Sequence, residues 1–373
     1  MKRSLSRVLT VATRGPLAVL LVCLCLPLGY VAYRAFAGEP PAAELGRTFV
    51  VAVGSTTALL LVCAGALALV LGGGLALALA YLDFPGRRFF EAAVCLPFVL
   101  PPYLVALVYQ RLAHNHHALG VAVENVWWAG VFLALTLYPY VYLPFKVTLQ
   151  NQSAAYLETG RSLGLSRRQL LRRVVLPLCA PALFLGFLLV FMAVFSDYGV
   201  CSVLGVRTVS VAIYDTWFAM YAPKLAARLS LVAVVVPLLL LAVFAWSTRG
   251  RGFQNPTNRP APLRRRRLHG PPALATPLLV ALPLVAGFLL PTGVLVFWCV
   301  ETIKKMRLQT LVGDLTNTLL LTLAVTGAAL LLACALAAFG RGRRPGRMLQ
   351  AASWLVSLNF AVPAMVTAIA LLF

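Results

Sequence analysis

The sequence predicts an all-α fold, a polytopic transmembrane helical bundle of about nine spans. Three observations predict it. The 373-residue chain is 61% hydrophobic and only 11% charged, whereas a soluble domain is about half apolar and about a quarter charged. Its apolar residues fall into runs of about twenty, enough to cross a bilayer core at about 1.5 Å per residue. Its arginines gather in the short polar stretches between those runs, the pattern that fixes orientation in a membrane.

Taken in order, the expected spans are 16–37, 51–80, 90–112, 126–149, 177–197, 228–247, 273–298, 317–339 and 350–373. The basic stretch Met1–Arg14 followed by an apolar run of about twenty residues reads as a retained signal-anchor helix, too long for a cleaved signal core. The 51–80 run exceeds the bilayer, so it tilts or starts as an interfacial helix. Pro97, Pro101 and Pro102 interrupt the 90–112 span, and proline breaks the helical ladder and permits a kink. Trp127 and Trp128 read as interfacial anchors. Tyr138, Tyr140 and Tyr142 cluster with Pro139 and Pro144, with no special role assigned.

Of the 32 Lys and Arg residues, 23 lie on the side of the N-terminus and nine on the other. The bias places the N-terminus in the cytoplasm. The net charge of +22 would suggest nucleic acid in a soluble protein, but no basic stretch is interleaved with aromatics for base stacking. The eight cysteines show no C-x-x-C pair and sit mostly in apolar runs, so neither a disulfide framework nor a metal site is expected. His114, His116 and His117 form the only histidine cluster, and a solvated outer loop explains it better than a transition-metal site. No phosphate-binding G-x-x-x-x-G-K-[ST] loop is present, so the chain is not expected to hydrolyse ATP, to be an enzyme or to carry a cofactor.

The organising stretch is a polar, basic island at 153–177. It reads as two short helices joined at Gly164, because glycine enters the left-handed region at no steric cost. Ser166 with Gln169 forms a capping box that restarts the helix. Arg168, Arg172 and Arg173 then favour one side, and Leu170, Leu171, Val174 and Val175 the other. The order Glu158, Thr159, Gly160, then Gly164, then Val174-x-Leu176-Pro177 resembles the EAA loop of ABC-importer permeases. The departure is Thr159-Gly160 in place of the usual pair of alanines.

That resemblance implies a type I ABC-importer permease fold in a bacterial inner membrane. It implies that the loop is a coupling helix docking into ATP-binding cassette ATPase subunits, and that a periplasmic or lipid-anchored binding protein delivers substrate. It assigns Glu158, Thr159, Gly160, Gly164, Arg167, Arg168 and Pro177 to that contact. The stretch Asp197-Tyr198-Gly199 through Trp217 resembles the outer segment of ferric-iron permeases, with thiamine and aminophosphonate permeases as relatives. It makes Asp197 a candidate for the translocation path, and Pro101 and Pro102 join it because kinked helices at equivalent places in two repeats often flank such a path.

An internal repeat divides the chain. Gly54-Ser55-Thr56, Pro85-Gly86-Arg87 and Phe98-Val99-Leu100-Pro101 recur as Thr316-Asn317-Thr318, Pro345-Gly346-Arg347 and Phe360-Ala361-Val362-Pro363, at an offset near 260. The expected organisation is an anchor helix and outer loop at 1–50, a first transmembrane unit at 51–248 and a basic linker at 249–272. A second unit starts at 273–373 and stops before a second coupling loop, as a fragment would. The linker's Arg264–Arg267 run is expected to sit against anionic lipid. The competing function is an ion-coupled secondary transporter, which also uses repeats and broken spans. It would need membrane-embedded acids, for which Asp197, Glu91 and Asp215 are the candidates. A membrane scaffold without transport is the third reading.

Overall fold

The computed structural model describes residues 26, 29–36, 43–115, 123–151, 160, 162–248, 265–303, 308–340 and 362–372. Among them the chain is almost entirely helical. Five helices are long and apolar enough to cross a membrane, or seven if each of two bent pairs counts as one span. These account for the expected spans from 51–80 through 317–339. The expected 16–37 and 350–373 spans fall partly outside the described residues, and what is described of them, 29–36 and Ala364–Leu372, is helical.

Helix α1 (Ala43–Tyr81) is 39 residues long. A two-residue strand, β1 (Leu82–Asp83), leads to the short α2 (Arg87–Ala93). A 3₁₀ turn at Leu96–Val99 and an extended Leu100 (φ −93°, ψ 120°) then precede α3 (Pro102–Asn115). The two arms of this expected span meet at 85°. The reason is local: the residue before a proline is pushed out of the helical region, and here that residue is Leu100. The next pair, α4 (Val126–Leu137) and α5 (Pro139–Asn151), bends by 43° at Tyr138-Pro139. Asn125 caps α4, its Oδ1 accepting from the Trp127 and Trp128 N–H groups at 3.0 and 3.1 Å.

Helix α6 (Arg167–Leu170) passes through a wide turn, Leu171–Val175, into α7 (Leu176–Phe195). The chain then forms α8 (Gly199–Val203), α9 (Val209–Phe218) and α10 (Pro223–Ser247). After β2 (Arg266–Arg267) come α11 (Pro271–Leu284), α12 (Leu290–Ile303), α13 (Leu308–Gly340) and α14 (Ala364–Leu372).

The core sits where α1 and α7 clasp α4 and α5. Tyr138, Tyr142, Phe132 and Phe145 are its largest fully buried side chains. Glycine makes the clasp possible. A Cβ on Gly72 would lie 2.5 Å from the Tyr138 carbonyl oxygen, and one on Gly186 would lie 2.7 Å from Val141 Cα and 3.0 Å from the Tyr140 carbonyl. A second, smaller cluster joins α9 and α10 to α14 through Ile213, Leu229, Val366 and Ile369. By contrast, no residue in the 311–331 part of α13 is buried among the described residues.

The end of the linker is tied to the first unit through its backbone: β2 pairs in parallel with β1, Leu82 opposite Arg266 and Asp83 opposite Arg267, and the side chains of Arg265, Arg266 and Arg267 stay exposed. Exposed strand edges seek a partner, and a turn closed by Gly86 at φ 77° leaves that edge open.

The helix clasp makes a testable demand. Gly186→Val should destabilise the protein by about 1–3 kcal/mol through overpacking against backbone, seen as a lower melting temperature in detergent. Gly74→Ala, whose Cβ meets nothing within 4 Å, should be neutral or gain up to about 1 kcal/mol.

Candidate functional site

The polar island folds as an elbow, and its bend is built from two local motifs. Gly164 takes φ 77°, and the Leu165 N–H donates to the Gly160 carbonyl at 3.1 Å. That is the six-to-one closure of a glycine-terminated helix. The Ser166 N–H donates to Gln169 Oε1 at 2.9 Å, and the Gln169 N–H donates to Ser166 Oγ at 3.4 Å. The capping box expected from the sequence is therefore formed, with both orphan donors satisfied reciprocally.

Gly160 has a packing reason. It is buried, and a Cβ there would lie 2.5 Å from the tip of Leu170. The glycine lets the second arm's Leu170 fold back over the first. Glu158 and Thr159 lie outside the described residues. Arg167 opens α6, while Arg168, Arg172 and Arg173 are exposed. Leu170 and Val175 are buried in the main core, and Leu171 and Val174 pack against it. The arginines thus form one free face of the elbow.

The structure adds a feature at the end of the elbow. The sequence suggests two short helices joined at Gly164 and a span from 177. The second instead runs on without a break, and residues 168–195 form one helix long enough to cross a membrane. Pro177 cannot donate to an i−4 carbonyl and would clash in a regular ladder. The wide turn at Leu171–Val175 absorbs that fault, with the Leu176 N–H reaching five residues back to Leu171. Such wide turns occur as single insertions inside α-helices.

The candidates for the translocation path are brought together. Asp197 follows α7, and its Oδ2 accepts from the N–H groups of Val200 and Cys201 at 3.0 and 3.3 Å, capping α8. A Cβ on Gly199 would lie 2.9 Å from Tyr103 Cβ, so α8 rests on the start of α3, next to Pro101 and Pro102. Burial pushes the Asp197 carboxyl up to about 6, against the opposing pull of its hydrogen bonds from Cys201 and Val200. Further out, Gln110 Nε2 donates to Glu124 Oε1 at 3.0 Å and to the Val203 carbonyl at 2.9 Å.

Sequence reasoning named Glu91 only as an acid for the competing reading and missed its partners. Glu91 of α2 is held by Arg87 and Lys146, each at 2.9 Å. Lys146 also lies over the Tyr142 ring, 5.3 Å from its centroid, and Tyr138 Oη donates to the Val94 carbonyl at 2.7 Å. The signal was available: Tyr138, Tyr142 and Lys146 recur every four residues, one face of one helix. Their partner, an acid four residues from Arg87 on a separate segment, is not visible from periodicity.

His114 approaches Glu124 at only 4.0 Å, and His116 and His117 lie outside the described residues. Among the described residues no three His, Cys, Asp or Glu side chains converge as metal ligands, and the six described cysteines are free.

Residues 68–249 match the family described as binding-protein-dependent transport system inner membrane component. The chain is 28% identical over 223 residues to the Fe(3+)-transport system permease protein FbpB 2 of Haemophilus influenzae, covering 59% of this chain and 42% of that protein. It is 29% identical over 158 residues to the sulfate transport system permease protein CysT of Salmonella typhimurium, covering 40% and 57%. Against the molybdenum transport system permease protein ModB of Escherichia coli, identity is 23% over 186 residues, covering 46% and 81%. The chain thus spans about half the length of the iron and sulfate relatives. The matched family is a membrane component that is not itself catalytic.

Two outcomes follow from this geometry. Asp197→Ala should cost about 1 kcal/mol through loss of the cap, and Asp197→Asn much less. Because burial raises its folded-state carboxyl to about 6 from an unfolded value of about 3.9, the folded state binds the extra proton between them. Stability should therefore fall as pH rises from about 4 to about 6. That slope should flatten in Asp197→Asn, which thermal melts across this range would measure.

Proposed function

We propose that this chain, which carries a binding-protein-dependent transport membrane component over residues 68–249, is the permease of an ATP-driven importer. It sits as a multi-pass protein in a bacterial inner membrane, with its N-terminus and its elbow in the cytoplasm, the orientation that the lysine and arginine bias favours. Separate ATP-binding cassette subunits grip the elbow at residues 158–177, and an extracytoplasmic binding protein delivers substrate to the opposite face.

The single observation that carries this reading is the continuity of the elbow with the span. A force on the exposed Arg168, Arg172 and Arg173 face acts on a rigid helix reaching Phe195. Glu158 would orient the first arm, and Gly164 would hold the bend. The path would run past the 85° break at Pro101 and Pro102 towards Asp197. Ferric iron is the favoured substrate, because the longest of the matched stretches described above is to an iron permease and because Asp197–Trp217 resembles the outer segment of that group. Sulfate and molybdate are the competitors, since permeases named for sulfate and molybdenum also match.

An ion-coupled secondary transporter fits less well. Two of the three acids it would use are already engaged: Glu91 is paired with two cations, and Asp197 caps a helix.

Gly164→Val places a β-branched residue at φ 77°, a conformation in which such residues are genuine outliers. In cells carrying the whole transport system, it should abolish uptake of labelled substrate while leaving the amount of protein in the membrane unchanged. Arg168→Glu should weaken crosslinking to the ATPase at least about tenfold, as reversal of an interface charge does. Wild-type uptake in both variants would sink the coupling role, and iron, sulfate and molybdate uptake measured side by side would identify the substrate.

A further inference from the structure

The meeting of β1 and β2 creates a site that the transport reading does not use. Two segments about 180 residues apart in sequence come together there, the loop after α1 and the end of the basic linker. Besides the paired strand residues, the Leu268 N–H donates to the Asp83 carbonyl at 3.1 Å. The junction encloses an open cavity of about 390 Å³ lined by Asp83, Phe84, Gly86, Arg87, Arg88 and Arg265.

The charge in that cavity is unbalanced. Arg87 is buried and committed: its Nε donates to the Leu79 carbonyl at 2.9 Å and its Nη2 pairs with Glu91. Asp83 faces Arg267 at 3.8 Å. Arg88 and Arg265 are exposed, and among the described residues neither makes an ion pair, although Arg265 acts on Glu91 at longer range. Two guanidinium groups therefore line a cavity whose one acid, Asp83, already faces Arg267. Arginine presents a planar fork of donors that matches phosphate in a bidentate manner. Phe84 closes the cavity from the protein side, being 6% exposed, while Phe89 next to Arg88 is 65% exposed. Phe89 does not line the cavity but follows the cavity-lining Arg88 in sequence, so an acyl chain on a headgroup bound there would find an exposed apolar ring nearby.

We infer that Arg88 and Arg265 form a binding site for one phosphate group, and that a phosphodiester lipid headgroup fits it best because of the exposed Phe89. Occupancy would tie the linker to the first transmembrane unit, since one arginine comes from each. A phosphate-bearing solute would satisfy the same chemistry without Phe89.

The test uses the full chain in nanodiscs of phosphatidylcholine with and without 30% phosphatidylglycerol, and in pure phosphatidylcholine with millimolar inorganic phosphate, at low salt. The readouts are thermal melting and lipid retention in native mass spectrometry. Phosphatidylglycerol should raise the melting temperature and be retained, and Arg88→Gln with Arg265→Gln should weaken that retention about 30-fold, as removal of two arginines near an anionic surface implies. Arg266→Gln, whose side chain does not line the cavity, should weaken it by no more than about fivefold, the loss of one basic charge near an anionic surface. Both arginines of the double variant are exposed, so its melting temperature in pure phosphatidylcholine should match the wild type. Stabilisation by inorganic phosphate alone, lost in the double variant, would support the anion site and reassign its source to a solute. If the double variant responds to both probes as the wild type does, or if the wild type responds to neither, the site is refuted.

Discussion

In a membrane-spanning bundle, every carbonyl that proline frees must be covered, because hydrocarbon offers no hydrogen bonds. This constraint shapes the centre of the molecule. Pro139 cannot donate to Leu135, and a Cβ on Gly287 would lie 2.6 Å from that same Leu135 oxygen. Pro144 cannot donate to Tyr140, and a Cβ on Gly186 would lie 3.0 Å from the Tyr140 oxygen. In both places a bare glycine backbone from another helix closes over a carbonyl that a proline has left unpaired. The Cα–H of glycine is a weak donor there, and its lack of a side chain is what permits the approach. The bend in the α4–α5 pair and the clasp around it are two sides of one arrangement.

Much of this was legible in the sequence, and the boundary of legibility is physical. Spans, their order and the elbow follow from local properties: hydropathy, a glycine at a left-handed position, and the three-residue spacing of Ser166 and Gln169. What was not legible depends on pairs from distant segments. The prolines near Tyr138 are visible as helix breakers, yet nothing local says that Gly186 and Gly287 meet the carbonyls they expose. Lys146 reads as one more basic residue at a helix end, and only the fold shows that Glu91 awaits it. The wide turn before Pro177 was missed for another reason. A proline after a polar stretch reads as a helix start, and a single inserted residue lets the helix run through it instead.

The acids tell the same story from the electrostatic side. The chain has only ten acidic residues against 32 basic ones, so an acid near a span stands out as a candidate for transport chemistry. Glu91 instead joins two bent pairs, since its cations come from its own helix α2 and from α5. Breaking a partly buried pair by removing one partner costs more than the pair gains. The ion trio therefore fixes the arrangement of the two pairs more than it stabilises the fold.

Movement at the elbow would reach the far side through these same contacts. The α6–α7 rod carries Gly186, which is seated against α5 and cannot slide without a collision with backbone. Helix α5 carries Lys146, and Lys146 holds Glu91 on the first arm of the 85° break. The second arm of that break starts at Pro102, and Tyr103 abuts Gly199 in the helix that Asp197 caps. Spatial succession is not coupling, and a two-state element is required as well. The bend at Leu100–Pro101 is the natural one. It holds no regular helical ladder to break, so its angle can change at less cost than that of any straight span. A hinge there would be driven from one side by the ion trio and read on the other by the Asp197 cap. The α4–α5 bend is thus sealed by glycine, and the bend at Leu100–Pro101 is held instead by the ion trio and by Tyr103 against Gly199.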